Sequence, residues 1–355
     1  MHLDYIIVGQ GLCGTWLSYY LKQAGTKVLL LDASIEKSAS SIASGIINPK
    51  SGMRLARQWM GDTLEPFARK AYKEIGTAID FEVAKGIAIH QYFSTKEEAD
   101  FFEQKADSEH EAFLSFRDRS PESKHFNFHF GIGKIAPALL VNVPELLGRW
   151  RSQLSKGNEL LEETIDWKEC VFSKEEVVYK DISAKAIIDC SGAASMNNSY
   201  FSRLPFSLNK GEAILAEIPG LPRDIVMKQG KISIVPWREN QFWIGSTFDL
   251  KFENDKPSES YFTQTEKALK AWLRVPFTLQ EQVAAIRPAT ITRAPFSGMH
   301  PNENRLGILN GMGSKGCSLA PFLAQNLAAH LTRGEPILAA ADISKYAKLL
   351  GAKPN

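Results

Sequence analysis

The first 32 residues constrain this chain more than any later stretch. Tyr5-Ile6-Ile7-Val8 is a short β-branched and aromatic run that ends at Gly9-Gln10-Gly11-Leu12-Cys13-Gly14. That pattern predicts a strand entering a glycine turn. A helix is expected from Thr15 to Ala24, stopped at Gly25, and a second apolar run, Lys27 to Leu31, ends in Asp32. Gly9 permits the tight turn, Gly11 lets backbone approach a pyrophosphate, and Gly14 lets the helix lie close on the strand. The helix N-terminus offers unpaired N–H groups to phosphates, and Asp32 accepts from ribose hydroxyls. Strand, turn, helix, strand and acid at this spacing imply a bound dinucleotide. A glycine-rich turn that serves structure alone is the alternative.

Bulk properties narrow the class. At 355 residues the chain is too long for one simple core, so two domains are expected. With 42 basic and 40 acidic side chains, a formal charge of +2 and no basic stripe, nothing points to nucleic acid. Cys13, Cys170, Cys190 and Cys317 are scattered without CxxC spacing, so packed thiols in a reducing compartment are expected and no metal centre. The histidines, His90, His110, His125, His129, His300 and His330 among them, show no metal spacing either. No apolar segment approaches bilayer length, and the N-terminal run is a strand rather than a signal peptide. A cytoplasmic protein with no membrane span is expected.

The α/β pattern is interrupted after Asp32. A small-residue stretch, Ser38 to Gly45, leads to Ile46-Ile47 and suits close backbone contact with a ligand. A helix is expected from about Met53 to Gly76 and another over 95–105, with 107–130 as loop and short strands. The α/β character returns with a helix over 144–154, a strand over 160–164, a hairpin of 171–173 with 177–179, and Ala186-Ile187-Ile188-Asp189 entering the turn Cys190-Ser191-Gly192-Ala193. Runs 213–217, 232–235 and 242–246 read as antiparallel strands, followed by a helix from about Ser258 to Leu273. The last unit is Leu306 to Asn310, the turn Gly311-Met312-Gly313-Ser314-Lys315-Gly316, and a helix from Cys317 to about Thr332.

Four segments in this order resemble the FAD-dependent amine and amino-acid oxidoreductases typified by D-amino acid oxidase, glycine oxidase and sarcosine oxidase. They are the N-terminal unit, Ile188 to Ala193, Ile286-Arg287-Pro288-Ala289-Thr290 with Pro295 and Gly298 after it, and the terminal turn and helix. The resemblance implies an α/β (α+β) chain with a Rossmann-type FAD-binding domain assembled from 1–50, 140–203 and 300–355. A substrate domain with a large antiparallel sheet would take 51–139 and 204–299. FAD would be non-covalent, since no cysteine lies where sarcosine oxidase-like enzymes attach it. The cofactor would touch Gly9, Gly11, Leu12, Cys13, Gly14, Asp32 and Ala33 first. Ser40, Ser41, Ser44, Gly45 and Ile46 match the loop beneath the flavin, with a solvated linker as the alternative. Ile165 falls near the adenine, and Ser191 and Gly192 form the second turn. In the terminal turn, Gly311, Gly313, Ser314, Lys315, Gly316, Cys317 and Ser318 would bring amide donors and a positive helix end to the flavin pyrimidine edge.

The same resemblance implies the chemistry, oxidation of a C–N bond in a small amine or amino acid. Such a reaction asks the protein to hold the substrate C–H toward flavin N5, and little else. Arg287 matches the arginine that binds a substrate carboxylate; an arginine tying two sheet strands is the alternative. Lys315 is a second cation beside the flavin, or an exposed lysine bonded to water. Ser233, Ser314 and Thr292 stand where glycine oxidase-like enzymes carry a tyrosine, an arginine and an aspartate, so glycine itself is not implied. Arg54, Lys50, Trp237 and Trp243 are further candidate pocket residues. Other readings are a flavin enzyme that modifies tRNA wobble uridine and an FAD-binding protein without turnover. The sequence leaves the oligomeric state open.

Overall fold

In a computed structural model of the chain, residues 2–33, 38–52, 54–107 and 113–351 are described. Met53 and His110 lie outside them. The N-terminal unit folds as its pattern predicts. Strand His2–Val8 pairs in parallel with Val28–Leu31 on one side and Ile182–Asp189 on the other, with Val8 opposite both Leu31 and Asp189. Glu303–Asn310 joins next, again in parallel, placing Ile308 opposite Asp189. Because these registers align, the carboxyl ends of all four strands open on one edge. The strand order reverses direction around His2–Val8, which is where open α/β sheets hold ligands.

Alternate residues of the first strand serve two cores. Tyr5 and Ile7 pack with the helices Leu12–Gln23, Gly61–Ala78, Val143–Lys156 and Gly316–Arg333, while Ile6 and Val8 pack with Phe201, Phe296 and Ile343. A parallel sheet buried on both faces needs such continuous apolar runs.

The second sheet runs Thr278–Arg287, Asn209–Glu217, Gln241–Gly245, Ile232–Pro236, Ile225–Gln229, Ala84–Tyr92, Ile132–Val141 and Ile46–Ile47, with Leu114–Arg117 also on Ile132–Val141. Its pairings are antiparallel except at Ile225–Gln229 with Ala84–Tyr92. Strand Phe296–His300 pairs with Glu303–Asn310 in the first sheet.

Three element boundaries differ from expectation. The first helix begins at Leu12, with Gly11 as its cap, so the glycine turn is already helical by its third glycine. The helix expected from Met53 begins at Gly61; the hairpin of Lys50–Ser51 with Ala56–Arg57 occupies the chain before it. Amphipathic spacing there continues through a turn, which periodicity alone cannot separate from helix. The strand after the Val143–Lys156 helix is limited to Leu160–Leu161.

Candidate active site

The glycines of the first turn are required by contact. A Cβ at Gly14 would stand 1.8 Å from the Gly9 carbonyl oxygen, so only glycine lets the helix meet the strand end this closely. Gly9 has φ +94°, and a Cβ there would lie 2.7 Å from the Cys190 oxygen. At Gly11 the Ser40 hydroxyl closes over the turn, accepting from the Leu12 N–H at 3.1 Å. Ser38 and Ser41 hydrogen-bond each other through backbone and side chain, so this small-residue stretch is a built turn.

The second and third turns are fixed by buried polar groups. Asp189 is fully buried, and its Oδ1 accepts from Ser191 N–H at 2.9 Å, Ser191 Oγ at 2.6 Å and Ser195 Oγ at 2.9 Å. Asn198 Nδ2 donates to its other oxygen at 3.0 Å. Asn310 Nδ2 donates to the Gly192 carbonyl at 2.8 Å, linking the second turn to the third. Gly313 N–H donates to Pro288 O at 2.9 Å, which ties the third turn to the segment after Arg287.

Between the turns and the second sheet lies a cleft of ≈ 530 Å³, within the roughly 300–1,000 Å³ range of ligand sites. From the sequence-predicted set, Gly9, Gly11, Leu12, Cys13, Asp32, Ser40, Ser41, Ser44, Gly45 and Ile46 line it on one side. Ser191, Gly192, Gly313, Ser314, Gly316 and Cys317 line it from the other turns. Gly14 lies beneath the first helix, and Gly311, with φ +81°, faces the Thr290 side chain and Phe296. Ser318 Oγ donates to the Lys315 carbonyl as part of the last helix's first turn.

Other expected positions fall elsewhere. Ile165 packs with Leu161 and Trp167 on the far apolar cluster and is not among the lining residues. Ala33 is likewise outside the lining. Lys315, Lys50 and Arg54 do not line the cleft: Lys315 is half-buried with its ammonium beside Arg293, and burial is the main cause that pulls its pKa down. Lys50 is buried with its ammonium 5.8 Å from the Phe113 ring centroid. Among the described lining residues the cations are Arg287 and Arg151. Trp243 lines the cleft and donates from its indole to Ile42 O at 3.0 Å, whereas Trp237 packs behind it.

Arg287 ties strand ends together and also stands among the residues that line the cleft. Nη1 donates to Asn209 Oδ1 at 3.1 Å and Thr247 O at 3.0 Å, and Nη2 donates to Ser246 Oγ at 3.0 Å. These bonds join the ends of three neighbouring chain segments, and the guanidinium still faces the cleft. It rests on the backbone of Gly211, where a Cβ would stand 2.0 Å from Nη2. Burial lowers its pKa, with Asp249 opposing, yet a guanidinium remains charged in proteins. Glu212 also lines the cleft, but its carboxylate is saturated by Ser258 N–H and Oγ, Gln282 Nε2 and the Lys210 ammonium at 3.3 Å. It anchors the helix Glu259–Trp272 to the sheet.

No sequence signal marks Arg151, Leu147 and Gly148, which reach the cleft from the Val143–Lys156 helix. Nor did it mark Gly211 or Ser246, whose importance depends on partners far along the chain. Burial pushes the Cys317 thiol up to about 12 and Cys190 well above its ordinary value, so both stay protonated at neutral pH. Burial pulls the His90 imidazole down, against the raising effect of Glu122, its hydrogen-bond partner, and His90 lies outside the cleft. Among the described residues no metal-binding cluster occurs, and no helix is long and apolar enough to cross a membrane.

Comparison with known proteins agrees with this geometry. Residues 4–330 match the family model described as FAD dependent oxidoreductase. The chain is 23% identical over 353 residues to "Uncharacterized oxidoreductase YurR" of Bacillus subtilis, covering 92% of this chain and 94% of that protein. Among solved structures it is similar to glycine oxidase from Geobacillus kaustophilus, with TM-score 0.77 and 18% identity over 98% of each chain. Iminodiacetate oxidase from Chelativorans sp. BNC1 gives TM-score 0.78 and 18% identity, covering 97% of this chain and 98% of that one.

Proposed function

This chain belongs to the FAD-dependent oxidoreductase family, and from that premise we propose that it oxidises the C–N bond of a small amine or amino acid. FAD is the family's cofactor. The residues fit it: three glycine turns open on one cleft, the first of them admits no side chain at Gly9 or Gly14, and an acid stands at the end of the second strand. Bound non-covalently, the flavin supplies the hydride acceptor. The division into an FAD-binding unit of 1–50, 140–203 and 300–355 and a substrate unit of 51–139 and 204–299 belongs to the same proposal, with 296–299 moved to the first by strand pairing.

The observation that carries the substrate reading is Arg287. A guanidinium held by Asn209, Thr247 and Ser246 at the cleft surface is oriented in advance, so binding an anion there costs little side-chain entropy. A carboxylate placed on it would orient the adjacent carbon toward the flavin, the positioning that this chemistry requires. At the terminal turn, the first-turn amides of Gly316 and Cys317 have no intrahelical acceptor and supply partial positive charge there. We assign that role to the amides and not to the Lys315 ammonium, which stands outside the lining. The relatives named glycine oxidase and iminodiacetate oxidase act on small carboxylated amines by name, and that supports the same class here.

The test is anaerobic reduction of the purified yellow protein across matched pairs of amino acids and their decarboxylated amines. Bleaching of the flavin by an amino acid, and weaker bleaching by its amine, is the expected result. No bleaching by any member would contradict the proposed reaction, and FAD retention would then mark a binding protein without turnover.

A further inference from the structure

The end of the cleft at Asp32 holds a charge that the glycine-and-acid pattern leaves unexplained. Arg151 lies 119 positions from Asp32 in the chain, and its side chain is only 19% exposed. Its Nη1 donates to Asp32 Oδ2 at 2.7 Å and to Gln10 Oε1 at 3.1 Å, and its Nη2 donates to Glu162 Oε1 at 2.7 Å. The other oxygen of Asp32 accepts from the Gln10 backbone N–H at 2.8 Å. Gln10 itself is buried, and its Nε2 donates to Leu147 O at 3.0 Å. Glycine turn, strand-end acid and Val143–Lys156 helix are therefore one network.

A carboxylate held at one oxygen can turn about its broad terminal torsion. A charge-assisted bond at the second oxygen removes that freedom. Arg151 lines the cleft together with Leu147 and Gly148 of its own helix, so the network borders the site directly. We propose that Arg151 is a positioning residue for the cofactor: it holds the Asp32 carboxylate in the one orientation that accepts the ribose hydroxyls of FAD. The pair is thus part of the binding site and not a surface tie between helix and strand. This rests on the FAD site alone and is independent of the substrate reading.

The test is a double-mutant cycle on FAD affinity, each protein titrated with FAD to millimolar concentration and read by quenching of flavin fluorescence. Arg151→Met should raise the Kd at least tenfold, and Arg151→Lys, which keeps the charge without the fork, should fall between. In an Asp32→Asn background the same Arg151→Met change should cost less than threefold, because its target is already altered. The melting temperature of the flavin-free protein should stay within a few degrees of the parent. Losses that multiply across the cycle, an Arg151→Met protein with parental affinity, or a flavin-free melting temperature that falls with the affinity would each overturn the proposal.

Discussion

The two walls of the cleft are built by opposite means. The wall of glycine turns uses backbone: Gly9 and Gly14 create space by lacking a side chain, and strand ends in register bring the turns together. The facing wall uses side chains, with Arg287 suspended among Asn209, Thr247 and Ser246 and Trp243 bonded across to Ile42. A backbone wall leaves few ways to vary and serves what is common to the family. A side-chain wall can be rebuilt at single positions and sets what the cleft accepts.

The largest effect is expected at Gly14. An added Cβ overlaps a carbonyl oxygen at 1.8 Å, and neither partner is a flexible side chain. Gly14→Ala should destabilise the fold by about 3 kcal/mol, the upper end of overpacking, and leave a protein without flavin, as absorbance at purification will show. Asp32→Ala comes next. It should cost roughly 1–3 kcal/mol of FAD binding, about a fivefold or greater rise in Kd, without altering substrate preference in whatever holoprotein remains.

Gly211→Ala tests the other wall. Its Cβ would meet the guanidinium at 2.0–2.6 Å, and a guanidinium can yield where backbone cannot. The expected outcome is full flavin retention with the KM of an amino-acid substrate raised by about 1–3 kcal/mol, the strain of a forced shift, and little change for the amine. Loss of flavin instead would show that the two walls are one unit. The smallest effect belongs to Lys315→Met. With its ammonium outside the lining, flavin retention and the rate of reduction should change by less than about threefold, the range of a surface substitution near 0.5 kcal/mol.

These walls also differ in how far sequence reveals them. Gly9, Gly11, Gly14 and Asp32 carry a local pattern because their work is done within one strand–turn–helix unit. Ser191, Gly192, Gly313, Ser314 and Gly316 also sit in short glycine turns, but their place beside the cofactor is implied by the resemblance; all five line the cleft. Arg287 was found through the resemblance alone, and its anchoring by Asn209 and Ser246 spans 78 and 41 positions, beyond any local pattern. Arg151 gave no signal, since an arginine on an amphipathic helix ordinarily faces water. Lys315, Lys50 and Arg54 are charged residues near the right turns in sequence that are not among the residues lining the cleft. The helix expected from Met53 starts later, at Gly61, for a related reason: spacing reports which residues face inward, not where a turn intervenes.

In the proposed reaction Arg287 holds a substrate carboxylate as well as the sheet. Arg287→Ala, measured by anaerobic flavin reduction with one amino acid and its decarboxylated amine, separates the two duties. The expected result is a loss of about 2–5 kcal/mol on the amino acid, as for a buried charge pair deprived of one partner, and roughly thirtyfold or more in kcat/KM, with the amine nearly unaffected. Equal losses on both substrates would contradict it and leave Arg287 as a tie between strands.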